Sequence, residues 1–71
     1  MPSRHIREML DQYMTEHGLS TAELARRLGV TQPYVWRIRA GTRRPSPELA
    51  QRMEAETGIP AMQLMLGDKA A

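Results

Sequence analysis

At 71 residues the chain has room for one small domain, and a chain this short buries only about 60% of its unfolded surface. It has no cysteine, which excludes disulfides and cysteine–zinc sites and fits a reducing cytoplasm. The net charge is +2, no apolar run nears the ~20 residues of a membrane span, and no signal peptide is visible, so a soluble cytoplasmic protein is expected.

The pattern reads as helices with short punctuation, without alternating strands, repeats or low-complexity tracts. A first helix is predicted over residues 4–16. Its stripe is Ile6, Met9, Leu10 and Tyr13, and Gly18 stands where a left-handed stop is needed. The second helix has the clearest start. Ser20 and Glu23 are spaced as a capping box, Leu19 and Leu24 as a hydrophobic staple, and Gly29 turns the chain after Leu28. Thr31 caps a third helix, Pro33 is tolerated in its first turn, and Gly41 ends it. After the basic stretch Thr42, Arg43, Arg44 and Pro45, Ser46 caps a fourth helix with Pro47 in first position. Leu49, Ala50 and Met53 face the core, and Gly58 is the stop. Ile59 before Pro60 marks a boundary, a fifth helix covers residues 60–66, and Gly67 ends it. The sequence thus predicts one compact all-α domain of five helices over residues 1–67, with a frayed tail over 68–71.

Charge is unevenly spread along this plan. Between Ser20 and Pro47 stand Arg26, Arg27, Arg37, Arg39, Arg43 and Arg44 against one acid, Glu23, a net of +5; four bases and seven acids leave the rest at −3. A basic middle on an otherwise acidic domain suits a surface that faces a polyanion, and arginine suits bidentate phosphate and guanine contacts. The bland alternative is a solvated arginine-rich face.

Residues 21–40 carry the informative spacing. Two helices of about eight residues flank a turn that holds Gly29, with Ala25 small where the helices cross and Val35 and Ile38 locking the second onto the core. The string AELARRLGVTQPYVWRIRAGTRRP, residues 22–45, resembles the signature of the lambda-repressor-like family of helix-turn-helix domains, the phage repressor and Cro group. The following SPELAQRMEAETG is similar to the fourth helix of its small Cro-like and antitoxin-type members. Trp36, where many members carry a small polar residue, and Pro33 depart from the family pattern. The resemblance implies a five-helix fold and places DNA base contacts at Gln32, Pro33, Tyr34, Trp36 and Arg37.

The residues support roles of their own. With Val35 and Ile38 inward, Pro33, Trp36, Arg37 and Ala40 face outward, with Gln32 and Tyr34 on the flanks. Gln32 can pair with adenine, or be a solvated residue; Arg37 can pair with guanine, or bind phosphate. Tyr34 suits phosphate, or packing on the second helix. Trp36 suits DNA, a protein partner, or packing on a neighbouring helix. Phosphate contacts are expected from Ser20 and Thr21, at a positive helix end, and from Thr42, Arg43 and Arg44. Arg26 and Arg27 are weaker candidates, solvated or paired with acids of the first helix.

No catalytic constellation, metal site, cofactor site or small-molecule pocket is visible, and His5 and His17 read as solvated. Met62, Leu64, Met65 and Leu66 make the last helix apolar on more than one side, which suggests a homodimer seam beside the core. The expected function is a bacterial or phage transcriptional regulator, a Cro-like repressor binding a double-stranded operator. The alternative is a protein-interaction or antitoxin-type module on the same fold.

Overall fold

A computed structural model describes residues 5–68. Its elements are α1 (Ile6–His17), α2 (Thr21–Leu28), α3 (Gln32–Ala40), α4 (Pro47–Thr57) and α5 (Ala61–Leu66), with no strand among the described residues. The all-α, five-helix expectation holds. The predicted start of the first helix, residue 4, lies outside the described residues; α1 begins at Ile6, with His5 as its extended N-cap, and runs one residue further than predicted, to His17. The last helix begins at Ala61 rather than Pro60, where the Glu54 carboxylate accepts the Ala61 N–H at 3.2 Å.

Local chemistry sets the helix starts. The Ser20 hydroxyl accepts the Glu23 N–H and the Glu23 carboxylate accepts the Ser20 N–H, both at 3.2 Å, so the capping box closes. Thr31 accepts the Tyr34 N–H at 3.4 Å and Ser46 the Leu49 N–H at 3.3 Å. Between α2 and α3, Gly29 adopts φ 73°, and the Gly29 and Val30 N–H groups close onto the Arg26 and Ala25 carbonyls. A side chain would strain that backbone, so glycine is what lets α3 follow α2 after three residues.

The five amphipathic stripes meet in one core. Leu10 comes from α1, Leu24, Ala25 and Leu28 from α2, Val35 and Ile38 from α3, Leu49, Ala50 and Met53 from α4, and Leu64 from α5. Each fully buried leucine contributes roughly 1.5–3 kcal/mol by leaving water. Met9, Tyr13, Met14 and Val30 pack around this centre, and α2 packs most extensively on α3. Ile59 is also buried. The Thr57 hydroxyl donates to the Met53 carbonyl at 2.6 Å and accepts the Ile59 N–H at 3.2 Å, which folds the connection inward.

The C-terminal boundary differs from expectation. Asp68 was expected in a frayed tail, yet its carboxylate accepts the Ile6 N–H at 2.8 Å and the buried Gln63 amide at 3.1 Å. His5, expected to be solvated, lies 3.2 Å from the same carboxylate. Residues 69–71 lie outside the described residues. Asp68 does for α1 what His5, which makes no capping bond, does not. The partners stand 62 positions apart, so no local pattern announces them.

Four carboxylates are held below their ordinary pKa. For Asp68, burial opposes ionisation, but hydrogen bonds from Ile6, Gln63 and His5 outweigh it. Hydrogen bonding to Arg39 lowers Asp11, the Ser20 N–H lowers Glu23, and the Tyr13 hydroxyl, then Arg27, lower Glu56. Depressed carboxylates stabilise the fold above their unfolded pKa, and that contribution is lost as pH falls through the folded values. Thermal melts should therefore show stability declining below about pH 4. Asp68→Ala should cost roughly 1–2 kcal/mol at neutral pH by orphaning the Ile6 N–H and removing one acceptor of the Gln63 amide. An unchanged melting temperature would show that the cap contributes nothing.

Candidate nucleic-acid interface

The interface begins with the register of α3. Because Val35 and Ile38 are buried, Gln32, Pro33, Trp36, Arg37 and Ala40 are exposed along one face. Trp36 is 49% exposed, an unusual setting for the largest apolar side chain in the sequence. Packing of its indole into the core is thereby excluded. Four of the five expected base-contacting residues share this face. Tyr34 does not; it is half-buried on the flank, packed against the core, with the Arg43 guanidinium 5.1 Å from its ring centre.

Two neighbouring segments border the face. At the start of α2, Ser20 is exposed and Thr21 half-buried. The capping box occupies the Ser20 and Glu23 N–H groups, so an anion there would meet the Ser20 hydroxyl proton and the Thr21 and Ala22 N–H groups, which have no intrahelical acceptor. At the other end, the Arg37 carbonyl accepts the Thr42 and Arg43 N–H groups at 3.0 and 3.3 Å and the Thr42 hydroxyl at 3.3 Å. These bonds hold the basic loop to the end of α3. Pro45 is buried and fixes its far side.

The arginines divide into two sets. Arg27 pairs with Glu56 at 2.9 Å, and Arg39 with Asp11. The Glu56 carboxylate also accepts the Tyr13 hydroxyl at 2.7 Å, joining α1, α2 and α4. Arg27 was expected to be solvated or to meet an acid of the first helix; its acid is instead on α4. Arg26, Arg37, Arg43 and Arg44 have no ion pair among the described residues. Of the six arginines of the middle segment, those left to the solvent therefore lie on α2, on the exposed row of α3 and on the loop beyond it.

The Asp11–Arg39 pair is absent from the sequence reading. Its geometry is bidentate, with Nε to Oδ1 at 2.7 Å and Nη2 to Oδ2 at 2.9 Å, and Arg39 lies 5.4 Å from the Trp36 ring centre. The helical wheel carried a signal. Arg39 follows buried Val35 by four residues, about 40° away, so it points partly inward and needs an acid.

A capped, solvent-facing start of α2, a tight glycine turn and an exposed face on the next helix, bordered by arginines without an ion pair among the described residues, define a helix-turn-helix domain of the DNA-binding kind. Comparison with known families agrees: residues 10–64 match the family described as Helix-turn-helix, and the chain belongs to it, in its lambda-repressor-like, XRE-type branch. That is a family of DNA-binding regulators, generally without enzymatic activity. No curated protein and no solved structure matches the chain. No helix among the described residues is long and apolar enough to cross a membrane.

The exposure of Trp36 is directly testable, since it is the only tryptophan. Acrylamide should quench most of the fluorescence of the free protein, and a shielded, blue-shifted emission would contradict the orientation of α3.

Proposed function

We propose that the protein is a sequence-specific transcriptional regulator, a Cro-like repressor that binds double-stranded DNA as a homodimer and acts by occluding its operator. The observation that carries this reading is the exposed row Gln32, Pro33, Trp36 and Arg37, bordered by the unpaired Arg43 and Arg44. The row enters the major groove N-terminus first. Gln32 pairs with adenine N6/N7 and Arg37 with guanine O6/N7, while Pro33 and Trp36 pack on thymine methyls and the sugar wall. Tyr34 reaches the outermost base pair from the flank.

Ser20 and Thr21 meet one phosphate run at the positive end of α2. Arg43 and Arg44 meet the other, with Thr42 exchanging the Arg37 carbonyl for a phosphate oxygen. Met62 and Leu66, 65% and 53% exposed on α5, supply the seam to a second copy. Such a pair reads two half-sites about 34 Å apart. Occlusion by the bound domain requires no effector, as suits a bacterial or phage cytoplasmic regulator.

Selection of bound duplexes from a random pool should return a palindromic consensus; no enrichment at low salt would overturn the proposal. Arg37→Ala should cost ~1–3 kcal/mol and relax one base position. An equal loss on every sequence would make Arg37 a phosphate contact instead. The Arg43→Ala, Arg44→Ala double variant should weaken binding uniformly and reduce the salt slope by about two. Arg27→Ala, whose charge is held by Glu56, should leave that slope nearly unchanged.

A further inference from the structure

Trp36 poses a physical difficulty for any recognition role. A half-exposed side chain on a surface helix samples several rotamers, and fixing one on binding opposes the contact it makes. Two observations show how this chain addresses that. The Arg39 guanidinium lies 5.4 Å from the indole centre, within cation–π range. The same guanidinium is held by both oxygens of Asp11, at 2.7 and 2.9 Å, across the gap between α3 and α1. A planar fork gripped by a carboxylate has little freedom to turn, so it offers the ring a fixed backing.

We infer that Asp11, on α1 and outside the helix-turn-helix, is a specificity-positioning residue: through Arg39 it holds the Trp36 indole in the orientation that meets base edges. The inference rests on α3 being the recognition helix. Asp11 itself touches no DNA. It also neutralises Arg39, so a cation beside the recognition face adds little to sequence-independent attraction. Both effects act in one direction. The indole is ordered before the encounter, favouring the correct duplex, and a charge that would favour every duplex is withdrawn.

Asp11→Asn, nearly isosteric, separates this role from a structural one. The ratio of affinities for the selected duplex and an unrelated duplex should fall roughly 3- to 10-fold. Affinity for the unrelated duplex should rise, and its salt slope should steepen by about one as Arg39 is released. A merely structural pair would instead lower both affinities together. In the DNA-free protein, time-resolved anisotropy of the single tryptophan should show a larger fast component in the variant. Arg39→Lys, which keeps the cation but loses the planar fork, should reproduce the anisotropy change and the lost preference, and it serves if Asp11→Asn does not fold. Asp11→Glu should restore much of the preference. An unchanged anisotropy, an unchanged affinity ratio, or a parallel loss on both duplexes overturns the inference. Failure of the unaltered protein to prefer any duplex overturns the recognition reading instead, and it is seen before any variant is made.

Discussion

The burial of Val35 and Ile38 governs the functional surface. On a nine-residue helix, fixing two positions three apart leaves no rotational freedom, and the opposite residues must face solvent. Leu24, Ala25 and Leu28 form the α2 side of the same core, and the glycine turn sets the distance at which α3 arrives. If α3 were rotated by one residue, Trp36 or Arg39 would enter the core and the exposed row would be lost. The candidate interface is thus a consequence of core packing rather than a separate construction.

A second constraint is electrostatic. A net charge of +2 says little about function, and even the six arginines of the middle segment overstate the charge on offer. Two of them are engaged by acids from other helices: Glu56 holds Arg27 and Asp11 holds Arg39. Of these six, the four that remain unpaired lie on α2, on the exposed row of α3 and on the loop that follows it. The acids of α1 and α4 therefore shape the basic surface as much as the arginines do.

The fold was legible because its signals are local. A capping box, two further hydroxyl caps, the glycine stops and a 3.6-residue apolar rhythm each act within four or five residues, and the elements they predict are present with ends shifted by one or two residues. The side chains missed are those whose partners lie far along the chain. Asp68 caps a helix 62 positions away, Glu56 joins Tyr13 to Arg27, and Asp11 grips Arg39. Ile59 and Gln63 were missed for a related reason: Ile59 lies in the connection after α4 and Gln63 in the six-residue α5, where periodicity has too few turns to indicate a face. For the interface, the outward placement of Pro33, Trp36, Arg37 and Ala40 followed from the wheel, which puts Gln32, also exposed, on the flank. The flank position of Tyr34 was legible too, but its stacking with Arg43 depends on how the loop returns and was not.

The central claim is that the exposed face of α3, bordered by the start of α2 and the basic loop, is where this domain meets duplex DNA. Amide and side-chain chemical-shift mapping by NMR during titration with a selected duplex tests it most directly. The largest changes are expected at Gln32, Trp36 and Arg37, with a second group at Thr21 and at Arg43 and Arg44, while the buried positions of α4 stay still. Changes confined to α1 or α5, with the Trp36 indole unmoved, would contradict the account.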